Sequence, residues 1–367
     1  LIRLCLLLLH TGGKAHYFLH QSHKLEISFK SISSFRYCCL YPLVQNKNYS
    51  LDLRKNMSFL SISGLSSRYS SSQGPVYAVD DVDFELNSGE SIGIAGESAC
   101  GKSTLGLSLI RMLSGGESFG KVVFNGDSIL DLSESDFDDQ FRWKKISMIF
   151  QGAMSSLDPV FTIKQQFVEI LKQHNFDGDI DNLILDSINS VYLDKNILKK
   201  YPHELSGGMK QRVIIAMALI LKPQFVIADE PTTALDVLIQ AQIINLLKIL
   251  KKDGMSFMLI THDLAVLSEI ADKIGIMYGG QMVEFGSSKE IYSNPKHPYT
   301  QGLLESIPTL KGNTPKYIPG TPPSLLEAPT ECRFIDRCPL AIEKCKQLPP
   351  KFKTDSGYVR CWLYEDK

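Results

Sequence analysis

Gly96-Glu97-Ser98-Ala99-Cys100-Gly101-Lys102-Ser103 decides the fold. It follows an apolar run, Ser91 to Ala95, that reads as a buried strand. It precedes Lys102 to Leu113, helical in composition and closed by Ser114-Gly115-Gly116. Strand, glycine-bearing loop and helix in that order open an α/β unit. The spacing G-x4-G-K-[ST] suits a phosphate: Gly96 and Gly101 let the backbone curl so that successive N–H groups face an anion, and the helix start adds the positive end of its dipole. Lys102 supplies a mobile charge for the outer phosphates and Ser103 a hydroxyl for Mg²⁺. Cys100 has no activating base nearby in sequence and reads as a small neutral residue.

Outward from the loop, Phe59 to Ile62, Val82 to Leu86 and Lys121 to Phe124 read as strands, separated by the turn signals Asn87-Ser88-Gly89-Glu90 and Asn125-Gly126-Asp127. Gly207 to Leu221 reads as a helix stopped by Pro223. Phe225 to Ala228 and Phe257 to Ile260 read as buried strands flanking a helix from Val237 to Lys252, and residues 160–200 are mainly helical. The alternation predicts an open parallel sheet with helices on its faces and ligands at the carboxyl ends of its strands. Asp177, Asp179 and Asp181 begin like a calcium loop, but Asn182 stands where Gly is needed and Ile188 where the bidentate Glu belongs, so a solvated loop is expected.

The 367 residues are 44% apolar and 22% charged, which excludes collagen-like and fully disordered classes. The longest apolar runs, Leu4 to Leu9 and Val213 to Leu221, fall far short of the roughly 18 residues that suggest a membrane span. Basic and acidic residues nearly cancel, 39 against 40, but residues 1–56 hold eight basic and two acidic ones, leaving 31 against 38 for the rest. That near-neutral to acidic body gives no support for nucleic-acid binding. Residues 1–56 lack periodicity, and His10, His16, His20 and His23 fit no metal site. They are expected to be an unstructured stretch upstream of a translation start at Met57. A secretory signal around Arg3 and Leu4 to Leu9, or an acid-poor organellar transit segment, are the alternatives.

Further along, Leu205-Ser206-Gly207-Gly208-Met209-Lys210-Gln211-Arg212 resembles the signature motif of ABC-type ATPases. Ser206 at a helix start, with Gly207 and Gly208, offers a hydroxyl and bare N–H donors to a phosphate, and Gln211 belongs to the same motif. The family's other motifs follow in kind. Phe225 to Glu230 resembles the Walker B strand, with Asp229 toward Mg²⁺ and Glu230 polarising the attacking water, a division of tasks that suits phosphoryl transfer. Thr233-Ala234-Leu235-Asp236 is similar to the D-loop, and Ile260-Thr261-His262-Asp263 to the switch strand, with His262 toward the γ-phosphate. Met148-Ile149-Phe150-Gln151 resembles the Q-loop, although Gly152 stands where an acidic residue is usual. The resemblance implies that Gly96, Glu97, Ser98, Ala99, Cys100, Gly101, Lys102, Ser103 and Thr104 bind ATP, with Tyr69 at the adenine and Tyr77 as the alternative. It further implies that Ser103, Gln151 and Asp229 serve Mg²⁺, and that Glu230, His262 and Gln151 are catalytic. One phosphate loop and one signature per chain imply a dimer with a second cassette, a copy or a homologue.

The C-terminal stretches Asn294-Pro295-Lys296-His297-Pro298-Tyr299-Thr300 and Ile318-Pro319-Gly320-Thr321-Pro322-Pro323 resemble the C-terminal region of ATPase subunits of oligopeptide and dipeptide importers. This resemblance implies an α/β P-loop NTPase core over 59–290, a helical subdomain at about 152–222, and a small Cys/Pro-rich extension over 291–367. It also implies ATP-driven import of peptides or related small solutes, two transmembrane permease subunits, an extracytoplasmic solute-binding protein and a peripheral place on the cytoplasmic face of the inner membrane. A soluble ABC ATPase without a transporter is the rival reading. Cys332, Cys338, Cys345 and Cys361, spaced C-x5-C-x6-C-x15-C, are expected to hold a 4Fe-4S cluster, as members of this importer group do, with zinc or free thiols as alternatives.

Overall fold

The computed structural model describes residues 58–152, 155–233, 235–307 and 317–365; the expectation for residues 1–56 lies outside them. Strands β1 (Leu60–Ser71) and β2 (Gly74–Leu86) form an antiparallel hairpin that leads into β3 (Ser91–Ala95) and the loop at 96–103. The sequence pattern ends the first strand at Ile62; β1 instead runs on through a serine-rich half, paired on one side with β2 and on the other with β4 (Gly116–Phe124). Polar residues are tolerated there because they are satisfied. Buried Ser67 bonds Ser108 at 2.8 Å and Ser118 at 3.0 Å, so no donor is stranded.

With β5 (Asp127–Ser128) these strands make a separate antiparallel sheet in the order β2-β1-β4-β5, in addition to the expected parallel one. The parallel sheet is built from β6 (Ile146–Ile149), β7 (Phe225–Asp229), β8 (Ser256–Ile260), β3 and β9 (Lys273–Tyr278). Every residue of β3, β7 and β8 is buried, which explains why they read as continuous apolar runs. Antiparallel β10 (Gln281–Ser287), β11 (Phe352–Lys353) and β12 (Tyr358–Val359) complete the order β11-β12-β10-β9-β3-β8-β7-β6.

Helix α1 (Lys102–Leu109) follows the loop and stops four residues before its predicted end at Leu113. Arg142, just beyond α2 (Glu134–Gln140), explains the stop: its guanidinium donates to the carbonyls of Ile110 and Arg111 at 3.2 and 3.3 Å, while Arg111 turns to φ 55°. Helix α3 (Ile163–Gln173) starts at a capping box of Thr162 and Gln165. Asp179 caps α4 (Ile180–Ser190) by accepting from the Asn182 N–H, so the apparent calcium loop is a helix start. Phe167 and Leu171 of α3, Ile184 and Ile188 of α4, and Val213 and Ile215 of α5 (Gly207–Leu219) share one buried core. Helices α6 (Val237–Lys252), α7 (Leu264–Ile270), α8 (Ser288–Ser293) and α9 (Pro298–Glu305) follow. Among the described residues no helix is long and apolar enough to cross a membrane.

Candidate active site

The carboxyl ends of β3, β7 and β8 converge, because these three strands are neighbours in the parallel sheet, and they bring 96–103, 229–230 and 261–262 to one edge. The phosphate loop is held close to its surroundings. A Cβ on Gly96 (φ 152°) would stand 2.1 Å from the Met277 carbonyl oxygen, and one on Gly101 (φ 100°) 2.0 Å from that of Ala78. Only glycine fits at either place. Lys102, buried at the first turn of α1, donates through Nζ to the carbonyls of Gly96 at 2.9 Å and Glu97 at 2.7 Å, which poises its charge inside the loop. Cys100 is buried and its thiol is pushed up by that burial, consistent with a neutral filler.

Asp229, at the end of β7, is almost fully buried. Burial raises its pKa and the neighbouring Glu230 charge adds to this, while a hydrogen bond with Ser103 and the Lys102 charge oppose it. Its Oδ1 is buried with no hydrogen-bond partner. A buried, unpartnered carboxylate oxygen beside a helix-start hydroxyl is a donor set that fits a hard divalent cation. Glu230 follows in the left-handed region at φ 46°, its N–H donating to the Ile260 carbonyl at 2.8 Å. For a non-glycine residue this backbone is strained, and the strain turns the side chain out of the strand. Glu230 Oε2 accepts from Gln151 Nε2 at 3.0 Å and Thr233 Oγ1 at 2.9 Å, and Oε1 lies 3.2 Å from His262 Nδ1. Burial works against its charge, but the bonds from Thr233 and His262 outweigh it and hold the carboxyl below the usual range. Gln151, Glu230 and His262 therefore form one bonded group, with Asp229 adjacent; Thr233 joins it through a bond that the sequence reading did not assign.

The remaining expected residues stand elsewhere. Ser206 caps α5, accepting from the Met209 N–H, and is exposed together with Gly207. Gly208 is buried against α6, where a Cβ would meet Ile239 at 2.8 Å, and Gln211 is buried. Among the described residues no hydrogen bond joins 206–211 to 96–104. Asp236 caps α6 through the Ile239 N–H at 2.9 Å, followed by the exposed side chains of Val237 and Leu238. Tyr69 pairs with Val76 and Tyr77 with Arg68, adjacent strand positions whose side chains alternate between faces. The Arg68 guanidinium covers the Tyr77 ring at 4.7 Å.

Cys345 and Cys361 are buried, and Cys332 and Cys338 half-buried. Burial pushes the Cys332 thiol up to about 12 and Cys361 to about 11, and the neighbouring thiols add to the effect. The four sulfurs thus share one region. Among the described residues, however, no three His, Cys, Asp or Glu are arranged to hold a metal ion, so the expected 4Fe-4S cluster gains no support here.

Comparison with known proteins places this geometry. The ABC transporter family matches residues 79–233, and the oligopeptide/dipeptide transporter C-terminal region matches 283–345. The chain is 42% identical to the oligopeptide transport ATP-binding protein OppD of Haemophilus influenzae over 319 residues, covering 84% of this chain and 98% of that protein. It is 41% identical to the dipeptide transport ATP-binding protein DppD of Bacillus subtilis, covering 84% and 95%. Among solved structures, the ATP-binding cassette MJ0796, a dimer in a post-hydrolysis state bound to ADP and Pi, superposes with a TM-score of 0.56 at 26% identity, covering 62% of this chain and 98% of that one.

Proposed function

The chain belongs to the ABC transporter family of ATPases and carries the oligopeptide/dipeptide transporter C-terminal region, and from that premise we infer that it hydrolyses ATP to drive import of peptides or related small solutes. The observation that carries the catalytic half is the bonded group Gln151–Glu230–His262 beside Asp229 and the phosphate loop. The named relatives, oligopeptide and dipeptide transport proteins, carry the transport half.

In this reading the loop amides from Gly96 to Thr104 and Lys102 bind the phosphates, and Tyr69 takes the adenine. Tyr77 is the weaker choice because Arg68 already covers its ring. Ser103, Gln151 and Asp229 would hold Mg²⁺, which supplies charge neutralisation at the β- and γ-phosphates when bound. Glu230, ionised at neutral pH, orients and deprotonates the attacking water. His262 steadies Glu230 through Nδ1 and turns toward the γ-phosphate in the loaded site. Ser206, Gly207 and the α5 dipole act on ATP held by a second cassette, and the exposed Val237 and Leu238 beside Asp236 support an apolar contact between the two. Residues 59–290 form the cassette, with the helical part at about 152–222, and 291–367 the importer-type extension.

The groove beside Gln151, about 420 Å³ and lined by Trp143, Phe150, Leu157, Ile170 and Met217, supports docking of a permease segment from a transmembrane partner. In this reading the chain sits peripherally on the cytoplasmic face of the membrane, served indirectly by an extracytoplasmic solute-binding protein. The 4Fe-4S cluster rests on four thiolate-capable cysteines and on the resemblance to importer ATPases that carry one; absorbance near 400 nm with iron and zinc analysis of anaerobically purified protein tests it. Co-purification of the full chain with two membrane subunits, and solute-stimulated ATP hydrolysis by that complex, test the transport reading. An ATPase that neither binds nor responds to the membrane subunits would favour the soluble alternative.

A further inference from the structure

Glu97, the second residue of the phosphate loop, is gripped from a part of the chain that lies 240 residues away. Arg337 sits in a 3-10 turn, Ile335–Arg337, immediately before Cys338. Its Nη1 donates to Glu97 Oε2 and its Nη2 to Glu97 Oε1, both at 2.8 Å, a bidentate fork. The other donors are spoken for: Nε to the Pro319 carbonyl at 2.8 Å, Nη2 to that of Ile318 at 3.2 Å, and Nη1 to the Tyr278 hydroxyl at 3.2 Å. All five N–H groups of a guanidinium thus have acceptors, and the side chain is only 5% exposed.

The Glu97 backbone is held as firmly as its side chain. Its N–H donates to the Tyr299 hydroxyl at 2.9 Å and its carbonyl accepts from Lys102 Nζ at 2.7 Å. Tyr299 is fully buried and packs with Tyr278 and Phe334, ring centroids 4.5 and 5.4 Å away. Phe334 belongs to the same turn as Arg337, so one aromatic cluster fixes both grips.

A phosphate loop needs such holding. Ala99 at φ 61° and Gly101 at φ 100° are conformations that an unconstrained loop leaves readily. Presenting several amides to one anion is effective only if they are already aimed when the anion arrives.

We propose that Arg337, with Tyr299, is a positioning residue for ATP: it locks the phosphate loop through Glu97 and makes nucleotide affinity depend on the packing of the cysteine-bearing C-terminal segment. Neither residue touches the reacting atoms. This inference rests on the ATP-site reading above.

The test is titration of the full-length chain with mant-ATP and Mg²⁺, alongside melting curves and the KM and kcat of ATP hydrolysis. Arg337→Gln and Glu97→Gln should each weaken mant-ATP binding by about tenfold or more, with KM rising by a similar factor and kcat changing less than about threefold. The double variant should be no weaker than either single one, because both remove the same contact. Arg337→Lys should recover part of the loss, keeping the charge without the fork. If Arg337→Gln fails to fold, Tyr299→Phe, which drops only the hydroxyl, should still weaken binding. Affinity within about twofold of native in both Glu97→Gln and Tyr299→Phe, or losses that simply add in the double variant, would overturn the lock. A native chain that binds no mant-ATP would overturn the ATP-site reading itself, and the lock with it.

Discussion

Glu230→Gln alters the site by one atom and a charge while leaving its volume unchanged. The native carboxylate uses Oε2 to accept from Gln151 and Thr233, and Oε1 to face His262 Nδ1. A glutamine whose amide oxygen takes the Oε2 position keeps the first two bonds and presents its NH₂ toward His262 Nδ1. The structural loss is then one interaction at most, about 1 kcal/mol. The chemical loss is larger, because an amide cannot accept the proton of water. Removal of a positioned general base lowers turnover by roughly 10²–10⁴-fold, or about 2.7–5.4 kcal/mol at 1.36 kcal/mol per decade. Binding should survive, since Lys102 and the loop do not depend on Glu230. The assay is phosphate release from Mg-ATP by the full chain, with mant-ATP affinity and light scattering on the same sample. The expected outcome is lost turnover, affinity within about twofold of native, and a dimer that accumulates with ATP. Turnover within about tenfold of native, with binding intact, would refute the assignment of Glu230.

Three other expectations follow from the same geometry. Gly101→Ala sets a Cβ 2.0 Å from the Ala78 carbonyl at φ 100°. Strain of at least about 1–3 kcal/mol should lower the melting temperature by several degrees and abolish mant-ATP binding. Leu238→Arg at an exposed site should leave the melting temperature unchanged but prevent ATP-dependent dimerisation in the Glu230→Gln background, read by light scattering. His297 is fully buried, its Nδ1 accepting from the Tyr299 N–H, and burial pushes it down to about 3. Between that value and the unfolded value near 6.5 the unfolded chain binds the extra proton, so stability rises with pH across this window, by up to about 1.4 kcal/mol per unit. Urea melts from pH 5 to 7 should show this slope, and His297→Asn should flatten it.

The phosphate loop was legible because its chemistry lies in one contiguous string, and a strand and a helix flank it in sequence as they do in space. Glu230 and His262 were legible by resemblance; their hydrogen bond depends on β7 and β8 being neighbours, which the order of motifs along the chain does not state. The serine-rich half of β1 was missed because a strand paired on both sides can carry polar residues when they bond one another, as Ser67, Ser108 and Ser118 do. Arg337 and Tyr299 were missed for a different reason. Arginine before a cysteine in a polar stretch, and tyrosine in a Pro-flanked one, look like surface chemistry until the chain closes back on the loop. The four cysteines are the opposite case: residue type and resemblance suggest a cluster, and the described arrangement, in which no three His, Cys, Asp or Glu side chains are set to hold a metal, adds no support for it.

The grip on Glu97 also has a meaning in time. Glu97 leaves the ribosome 240 residues ahead of Arg337, which at about 5–20 residues per second is an interval of roughly 10–50 s. The other strands of the parallel sheet, down to β9 ending at Tyr278, are all made within that interval, while the phosphate loop has no partner for its carboxylate. The nascent cassette therefore has all its parallel strands before its own loop is fastened, and full nucleotide affinity should arrive only once the turn Ile335–Arg337 has been made.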